Sequence, residues 1–536
     1  MGFSLNAIDI GIILGSILIV LLVGLWASRK QDKNARGYFL ASGRLPWWII
    51  GSAFVSTSVS SEQIVGTVGA AYENGMGIAN WEIWSLPVYA PLMLFFIPVY
   101  LKNRVTTVPE FLNRRYGPLC GDIYSWVMLV AYVVIFLVPV LYGGSRVFSD
   151  LTGWKFSYVL WATVILVGLY TVKGGLASVM WTDAAQCAML LGGGIILFFI
   201  ALAQVPGGIT EGWAAMVRAN PDRFHLYRPP GDPNAPFLGL ICGSVGVFLF
   251  YQATNQVMIQ RVLGARSTWD GIMGIIFAGF INFLRPLVTC FLGFIVYHWI
   301  FVMHKAPPLH NKDDTFAFAL KTLAPAWGLR GIVLAGFLAA VMSTISALAN
   351  STATIFALDV YKKMINRQAD DLAIVRMGRL ASLVSLVLAG LIAPNVESLG
   401  GIFRYFQMGV TYLSTPFISV VLIGLFWKRA NYAGGLFGIV GWLIIQIAVA
   451  LGLPAGGIHL HWFYIAFIAQ VLIVIGIVAV SLLTQPADRA RWEPFIWKPA
   501  LLAHYDEGRS RPWYQSIRLW FTIYAVIWIY LYWLFW

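Results

Sequence analysis

Apolar segments of about 20 residues alternate with short polar stretches along the whole chain. An α-helix of that length crosses the hydrocarbon core of a bilayer, which is about 30 Å thick. We count about fourteen such segments. They centre near residues 8–27, 47–70, 79–101, 122–146, 157–173, 180–204, 236–261, 271–303, 330–361, 373–393, 397–427, 432–453, 460–484 and 514–535. The pattern predicts an all-α polytopic membrane protein with about 14 transmembrane helices.

Two of these segments carry polar residues where a lipid-facing helix would be apolar. Residues 47–70 contain the run GSAFVSTSVSSEQIVG (Gly51–Gly66), with five serines and a Glu62–Gln63 pair. Residues 401–421 contain Arg404, Gln407 and Pro416. Ionisable side chains at membrane depth cost from about 2.5 kcal/mol upward and normally face a cavity or a partner. We therefore expect a working site here, although close helix packing also accounts for individual serines.

The composition agrees with a membrane protein, since 59% of the residues are hydrophobic and only 11% are charged. The first apolar segment is followed by charged residues instead of a small-residue cleavage site, which predicts a retained helix. With the N-terminus outside, about 25 Lys and Arg fall in loops on one side and about 9 on the other. This asymmetry predicts that both termini face outward, and it explains the net charge of +13 without nucleic acid.

No motif in the sequence indicates an enzyme. The sequence contains no GxxxxGK[ST] phosphate loop, no HExxH and no GxSxG. The four cysteines, Cys120, Cys187, Cys242 and Cys290, stand singly and form neither a CxxC pair nor a disulfide framework. The sequence predicts that the protein is not an enzyme and that any uphill work draws on an ion gradient or a partner.

Seven motifs, in order over about residues 38–416, together resemble the solute:sodium symporter family, and most closely its sodium/glucose cotransporter branch. They are YFLASGRLPWW (Tyr38–Trp48), SVSSEQIVG (Ser58–Gly66), TTVPEFLNRRYG (Thr106–Gly117), GGLASVMWTDAAQ (Gly174–Gln186), FYQATNQVMIQR (Phe250–Arg261), AAVMSTISALANSTATIF (Ala339–Phe356) and YFQMGVTYLSTP (Tyr405–Pro416).

The resemblance implies a five-plus-five inverted-repeat core. We expect an N-terminal extra helix and cytoplasmic loop in residues 1–46, the transport core in 47–430 and accessory helices in 431–536. The polar segments predict that the first and tenth core helices are broken. These two helices are not symmetry mates, so the sequence alone does not establish the repeat.

In this family, one sodium ion lies where the first core helix breaks. The matching positions are the carbonyls of Ser56, Val59 and Ala340 and the hydroxyls of Ser343 and Thr344. Five neutral oxygens suit a hard monovalent cation. Simple packing of the two hydroxyls at a helix interface is the alternative.

Some relatives hold a second sodium ion with an aspartate on the fifth core helix. Asp183 matches that aspartate, and Ser343 and Ser346 match two hydroxyl positions. The next matching position is Ala347, which supplies no ligand. The number of ions therefore stays open, and a structural or proton-titrating role for Asp183 is the alternative.

The resemblance also implies a substrate site and an outer gate. Amides and a carboxylate surround a ring of hydroxyls, and a flat aromatic ring covers the apolar face of a sugar. The substrate positions are Gln63, Glu82, Ser85, Tyr251, Asn282 and Gln407. The gate positions are Thr67, Trp81, Phe403 and Tyr251.

Some positions depart from the sugar branch. Asn282 stands where a lysine is common, Phe248 replaces an asparagine, and Arg404 replaces an acidic residue. The third core helix, residues 122–145, has no arginine to bind a carboxylate, which disfavours the sialic-acid branch. The side chain of Glu62 points about 100° away from its neighbour on a helix, so pairing with Arg285 is one hypothesis for it.

Together these observations predict sodium-coupled symport of a neutral monosaccharide or polyol, such as glucose, galactose or myo-inositol, across the plasma (inner) membrane. A sugar acid, an amino acid or a monocarboxylate is the alternative substrate class. A transporter-like membrane sensor is a third possibility, disfavoured by the short linker at 485–512, which is too small for a signalling domain. Sugar identity, oligomeric state and the part played by the last helix stay open.

Overall fold

A computed structural model describes residues 5–29, 32, 34–325, 328–395, 402–504 and 511–536 of the chain. Within these ranges, the side chains of residues 62, 402–405, 407, 408, 503 and 504 are not described. The described residues form helices and loops, and their one extended pairing is a parallel bridge between Leu45 and Ala265. The all-α prediction is confirmed.

The main helices follow one another along the chain with short connections. They are α1 (Ala7–Arg29), α2 (Trp47–Ser58), α3 (Ser61–Asn74), α4 (Met76–Lys102), α5 (Pro118–Thr152), α6 (Phe156–Ala203), α7 (Phe237–Thr254), α8 (Gln256–Leu263), α9 (Thr268–Asn282), α10 (Cys290–Val302), α11 (Leu329–Ile365), α12 (Asp371–Ile392), α13 (Ile402–Phe426), α14 (Tyr432–Ala455), α15 (Trp462–Leu483) and α16 (Ile517–Leu534).

The protein is a multi-pass membrane protein. Within the described residues, 11 helices are long and apolar enough to cross a membrane. One of them, α6, has 48 residues and bends at Gly175, where φ is 56° and ψ is −161°. Only glycine adopts that backbone conformation readily. At 1.5 Å per residue, α6 is about 72 Å long and has room for two passes. The total of about fourteen helices stays a prediction, because broken helices escape a length criterion.

The first core helix is broken, as the sequence predicts. Its halves α2 and α3 are separated by Val59 and Ser60, which both have extended backbone. The hydroxyls in this run supply alternative partners for the backbone: Ser58 Oγ donates to the Val55 carbonyl at 2.8 Å, and Ser61 Oγ donates to the Val140 carbonyl of α5 at 3.0 Å.

The sixth core helix is also broken, which the sequence analysis did not predict. Its halves α7 and α8 meet at Asn255, whose backbone is extended and whose side chain accepts from the Val257 N–H. Two tyrosines of α5 hold this break: Tyr132 donates to Asn255 Oδ1 at 2.7 Å, and Tyr124 donates to the Thr254 carbonyl at 2.6 Å. The first and sixth core helices are symmetry mates in a five-plus-five repeat, so the two breaks correspond to each other.

The predicted break in the tenth core helix is wrong for the described residues. Helix α13 runs from Ile402 to Phe426 without interruption, with Pro416 inside it. Hydroxyls of the same segment bond back within the helix: Ser414 Oγ donates to the Thr411 carbonyl at 2.8 Å, and Ser419 Oγ donates to the Thr415 carbonyl at 2.6 Å. Polar residues within an apolar segment therefore do not by themselves mark a break.

Buried charged side chains cap two of the core helices. Asp9 of α1 is fully buried, and its Oδ1 accepts from the Gly331 N–H in the first turn of α11 at 2.8 Å. Arg115 donates to the carbonyls of Gly424, Trp427 and Ala430 at 2.9–3.0 Å, around the C-terminal end of α13. The extra N-terminal helix therefore supports the helix that carries Ser343. The domain boundaries at 46 and 430 stay a prediction.

Candidate functional site

The break in the first core helix lies against α11. Thr344 Oγ1 donates to the Thr57 carbonyl at 3.2 Å, and Ser56 Oγ donates to Ser343 Oγ at 2.9 Å. All four residues are buried. The last carbonyls of a helix have no partner within that helix, so the end of α2 supplies oxygens that α11 meets with hydroxyls.

The predicted sodium ligands lie along this contact. Ser343 and Thr344 face α2 directly. The Ala340 carbonyl accepts from Thr344 Oγ1 at 3.3 Å, and the Ser56 carbonyl is 3.4 Å from the Val59 N–H. Neutral hydroxyl and carbonyl oxygens at a helix break suit a monovalent cation. The donor chemistry of the set fits sodium, and the assignment of the five ligands stays a prediction.

Asp183 of α6 lies beside the same contact and is fully buried. Its Oδ2 is 3.0 Å from Arg261 Nη2 of α8, and its Oδ1 accepts from Ser343 Oγ at 2.8 Å. Thr57 Oγ1 is 3.3 Å from Oδ2. Asp183 therefore links both broken core helices to α11. Ser346 Oγ instead donates to the Ser343 carbonyl of its own helix at 2.9 Å, so a second sodium site at Asp183 stays a prediction.

A cavity of about 70 Å³ lies between the two broken helices. Its wall includes Gln63 of α3 and Tyr251 of α7, which are predicted substrate residues, and Trp81 of α4, a predicted gate residue. The volume is far below the roughly 300–1,000 Å³ of typical ligand pockets. The structure therefore represents a state in which this cavity is largely closed.

The cavity wall also holds two residues that the sequence analysis did not assign to the substrate site. Arg285 and Gln252 line the cavity, and neither Arg285 Nε nor Gln252 Oε1 has a hydrogen-bond partner among the described residues. Buried polar atoms of this kind are rare in folded proteins. A signal for Arg285 existed, because a lone arginine within an apolar segment is itself a functional hint. Gln252 belongs to the motif FYQATNQVMIQR (Phe250–Arg261), but nothing else in the sequence marks it as a site residue.

Glu82 lies next to Arg285, which is one of the residues of the cavity wall. The distance from Glu82 Oε1 to Arg285 Nη2 is 3.9 Å, which is long for an ion pair. Thr289 Oγ1 lies 2.7 Å from both carboxylate oxygens. Asn282 accepts from Arg285 Nη1 at 3.3 Å and donates to the Tyr89 hydroxyl at 2.8 Å. The acidic residue, the arginine and Asn282 thus form one buried polar group.

The remaining predicted residues lie elsewhere or outside the described side chains. Ser85 accepts from the Tyr524 hydroxyl of α16 at 2.6 Å. Thr67 is buried in α3 and is not among the described residues of the cavity wall. The side chains of Gln407, Phe403, Arg404 and Glu62 lie outside the described residues. The structure places Arg285 beside Glu82, and the pairing of Arg285 with Glu62 stays a hypothesis.

The predicted gate residue Trp81 belongs to an aromatic cluster. Its ring stacks on Phe463 of α15, with centroids 5.4 Å apart and planes 24° apart. Phe248 of α7 lies on it at 4.9 Å. Phe248 is one of the departures noted in the sequence, and here it closes the cavity beside Trp81. Helix α15 therefore packs directly on Trp81 and Phe248, two residues of the cavity wall.

A wider cleft opens at the opposite ends of these helices. It has a volume of about 1,160 Å³ and lies between the ends of α4, α8 and α11. Its wall is rich in basic residues, among them Arg36, Arg104 and Lys362. These residues lie in the stretches Arg29–Arg36, Lys102–Arg115 and Lys362–Arg367, which the charge asymmetry predicts to face the cytoplasm.

Comparisons with known proteins agree with this architecture. A family model described as the sodium:solute symporter family matches residues 38–441. The sodium/glucose cotransporter of Vibrio parahaemolyticus is 32% identical over 461 residues, which cover 82% of this chain and 84% of that protein. The sodium/myo-inositol cotransporter 2 of Bos taurus is 29% identical over 540 residues, covering 92% of this chain and 79% of that protein.

A solved structure extends the comparison to the fold. A Na⁺-coupled sialic acid symporter in a substrate-bound outward-open state superposes with a TM-score of 0.81. The match covers 90% of this chain and 99% of that chain, at 22% sequence identity. At this identity the likeness concerns the fold alone.

Proposed function

Because this chain belongs to the sodium:solute symporter family, with sodium as its coupling ion, we propose that it carries a neutral monosaccharide or polyol by alternating access. It is a transporter and not an enzyme. We place it in the plasma (inner) membrane with both termini outside, following the distribution of Lys and Arg.

One observation carries the substrate class: the cavity wall holds an unpaired donor and an unpaired acceptor. Arg285 Nε and Gln252 Oε1 are both buried without partners among the described residues. Each hydroxyl of a sugar or polyol both donates and accepts, as serine and threonine hydroxyls do. Neighbouring hydroxyls of one ligand satisfy both atoms, while Gln63 adds an amide and Tyr251 an aromatic face.

The opposite charges of Glu82 and Arg285 also favour a neutral ligand. At 3.9 Å the two side chains are close enough to balance each other and far enough apart for each to take another partner. A ligand hydroxyl can donate to the carboxylate while a second hydroxyl accepts from the guanidinium. A neutral sugar leaves this buried pair balanced.

Coupling follows from the position of the break in the first core helix. The sodium residues Ser56 and Val59 precede or form the extended segment, and Gln63 lies in the first turn after it. An ion that fixes this segment also fixes the direction of α3, which carries Gln63. Linkage then requires that sodium raise substrate affinity and that substrate raise sodium affinity by the same factor.

A sugar acid is the second candidate substrate. Arg285 favours it, because a guanidinium with a free N–H can bind a carboxylate. Glu82 opposes it, because the added negative charge would lie beside a buried carboxylate.

Uptake into proteoliposomes distinguishes the two candidates. We would measure radiolabelled glucose, galactose, myo-inositol and glucuronate with and without an inward sodium gradient. We expect sodium-dependent accumulation of at least one neutral compound, abolished by Glu82→Gln and preserved by the control Glu73→Gln, whose side chain is half exposed. Accumulation of glucuronate alone would favour the second candidate, and no sodium-dependent accumulation of any of the four would overturn the proposed substrate class.

Two matched variants of α11 test the predicted sodium ligands. Thr344→Ala removes the hydroxyl that contacts α2, whereas Thr352→Ala removes a buried hydroxyl that bonds to the Leu348 carbonyl of the same helix at 2.8 Å. We expect only Thr344→Ala to raise the sodium concentration for half-maximal uptake. Equal sodium dependence in the two variants would contradict the assignment. A Hill slope above one that falls to one in Asp183→Asn would support a second ion.

A further inference from the structure

Three aromatic side chains of α16 bond to one short stretch of α4. The Tyr524 hydroxyl donates to Ser85 Oγ at 2.6 Å, and the Tyr532 hydroxyl donates to Asn80 Oδ1 at 2.6 Å. Between them, Trp528 Nε1 donates to the Ile83 carbonyl at 2.7 Å. The donors are spaced four residues apart, so they share one face of the helix. We call this set the aromatic ladder of α16.

The stretch that the ladder contacts is weakly held by its own backbone. Pro87 has no N–H, so it cannot provide the i→i−4 hydrogen bond to the Ile83 carbonyl. The helical turn Asn80–Ile83 is only four residues long and ends at Trp84, where ψ is 39°. A turn this short is not stable by itself. The indole of Trp528 supplies the donor that Pro87 lacks.

The contact extends to the connection between α6 and α7, which contains Leu226. The Asn80 amide donates to the Leu226 carbonyl at 2.8 Å and to the Gly77 carbonyl at 3.0 Å. The Leu226 N–H in turn donates to the Phe535 carbonyl at 2.7 Å. Asn80 therefore joins the turn, the loop and the end of α16.

This turn carries two residues of the proposed site. Trp81 stacks at the closed side of the cavity, and Glu82 faces Arg285. We propose that the aromatic ladder of α16 sets the position of Trp81 and Glu82, and that Tyr524, Trp528 and Tyr532 are positioning residues for substrate binding. The last helix is then part of the substrate-binding apparatus. The positioning itself stands on the geometry of α4 and α16, and its effect on transport rests on the proposed function.

The first test does not need a substrate. Hydrogen exchange of peptides covering residues 76–92 would be measured in nanodiscs for the wild type and for Tyr524→Phe, Trp528→Phe and Tyr532→Phe. Each variant keeps an aromatic ring and loses one donor. Loss of one net hydrogen bond corresponds to about five-fold faster exchange where local opening governs it. We expect that increase in the 76–92 peptides, with exchange in α14 unchanged.

The same helix offers matched controls. Tyr530 and Trp533 are 54% and 73% exposed on the lipid-facing side of α16. Tyr530→Phe and Trp533→Phe should leave exchange of the 76–92 peptides at the wild-type level. If Trp528→Phe changed exchange no more than Trp533→Phe did, or if exchange rose equally throughout the protein, the ladder would not be a positioning device.

The second test concerns transport. With galactose as the probe in proteoliposomes, Trp528→Phe should raise KM about five-fold, the equivalent of one net hydrogen bond. Binding of ²²Na⁺ in the absence of sugar should stay unchanged, because the three hydrogen bonds that define the ladder go to α4. An unchanged KM alongside raised exchange would overturn the role in substrate binding. Failure of the wild type to accumulate any of glucose, galactose and myo-inositol would count against the proposed function and leave the exchange result standing.

Discussion

The buried pair of Asp183 and Arg261 allows a quantitative test of how the two broken helices are held. The side chains are 0% and 1% exposed, and the carboxylate and guanidinium are 3.0 Å apart. Asp183→Asn keeps an acceptor for Ser343 but leaves the charge of Arg261 without a counter-charge. Removing one partner of a buried pair costs about 3–5 kcal/mol.

The size of this effect depends on what Arg261 retains. Its Nε stays 3.3 Å from the Ala53 carbonyl, and Nη1 still reaches the Val257 carbonyl. These contacts satisfy N–H groups but not the charge. We therefore expect Asp183→Asn to lose about 3 kcal/mol of unfolding free energy, at the lower end of the range. Asp183→Asn combined with Arg261→Gln removes both charges and should recover about 2 kcal/mol.

Steric trapping in lipid bicelles gives the unfolding free energies for this double-mutant cycle. The half-exposed pair of Glu73 and Lys312, with its atoms 2.7 Å apart, is the control, and its coupling should be at most about 1 kcal/mol. A coupling energy below about 0.5 kcal/mol between Asp183 and Arg261 would refute the reasoning, because the two substitutions would then act independently.

Three further predictions concern a helix N-cap, a helix C-terminus and a histidine. Asp9→Ala removes the cap at Gly331 and should lower the unfolding free energy by about 1 kcal/mol in steric trapping, with Asp9→Asn largely spared. Arg115→Met leaves three carbonyls without their charged donor and should cost about 3 kcal/mol in the same assay, whereas the exposed Arg114→Met should be near neutral. Burial lowers the pKa of His461, which lies outside the membrane-spanning segments, to about 4. The fold favours the neutral ring, so stability is fully present above the ordinary pKa of 6.5 and is lost as the pH falls toward 4. The melting temperature should therefore drop more between pH 7 and pH 5 in the wild type than in His461→Asn, and equal drops would contradict this.

Much of the architecture could be predicted from the sequence, because apolar segments and the polar residues within them are visible in the local sequence. Polar residues in such a segment are costly to bury in lipid. The serine run marked the break at Val59 and Ser60 for that reason. The same reasoning failed for α13, where Ser414 and Ser419 bond to their own helix. Counting polar residues does not show whether their partners lie within a helix or across it.

A local sequence signal for the break at Asn255 does exist. Asparagine is among the preferred N-cap residues, and Asn255 caps α8 through the Val257 N–H. By contrast, nothing in the local sequence shows that Tyr524 meets Ser85, since the two residues are 439 positions apart. The arrangement of Arg285, Glu82 and Gln252 around a cavity is likewise a product of helix packing. The family resemblance gave Glu82 a substrate position but gave none to Arg285.

Different helices contact the two helix breaks. The break in the first core helix meets the hydroxyls of α11, whereas Asn255 is held by Tyr124 and Tyr132 of α5. The predicted sodium ligands lie at the first break and on α11, and the second break is held by its own set of contacts. Substitutions at α11 and substitutions at the two tyrosines therefore alter different breaks, so evolution can vary one set of contacts without the other.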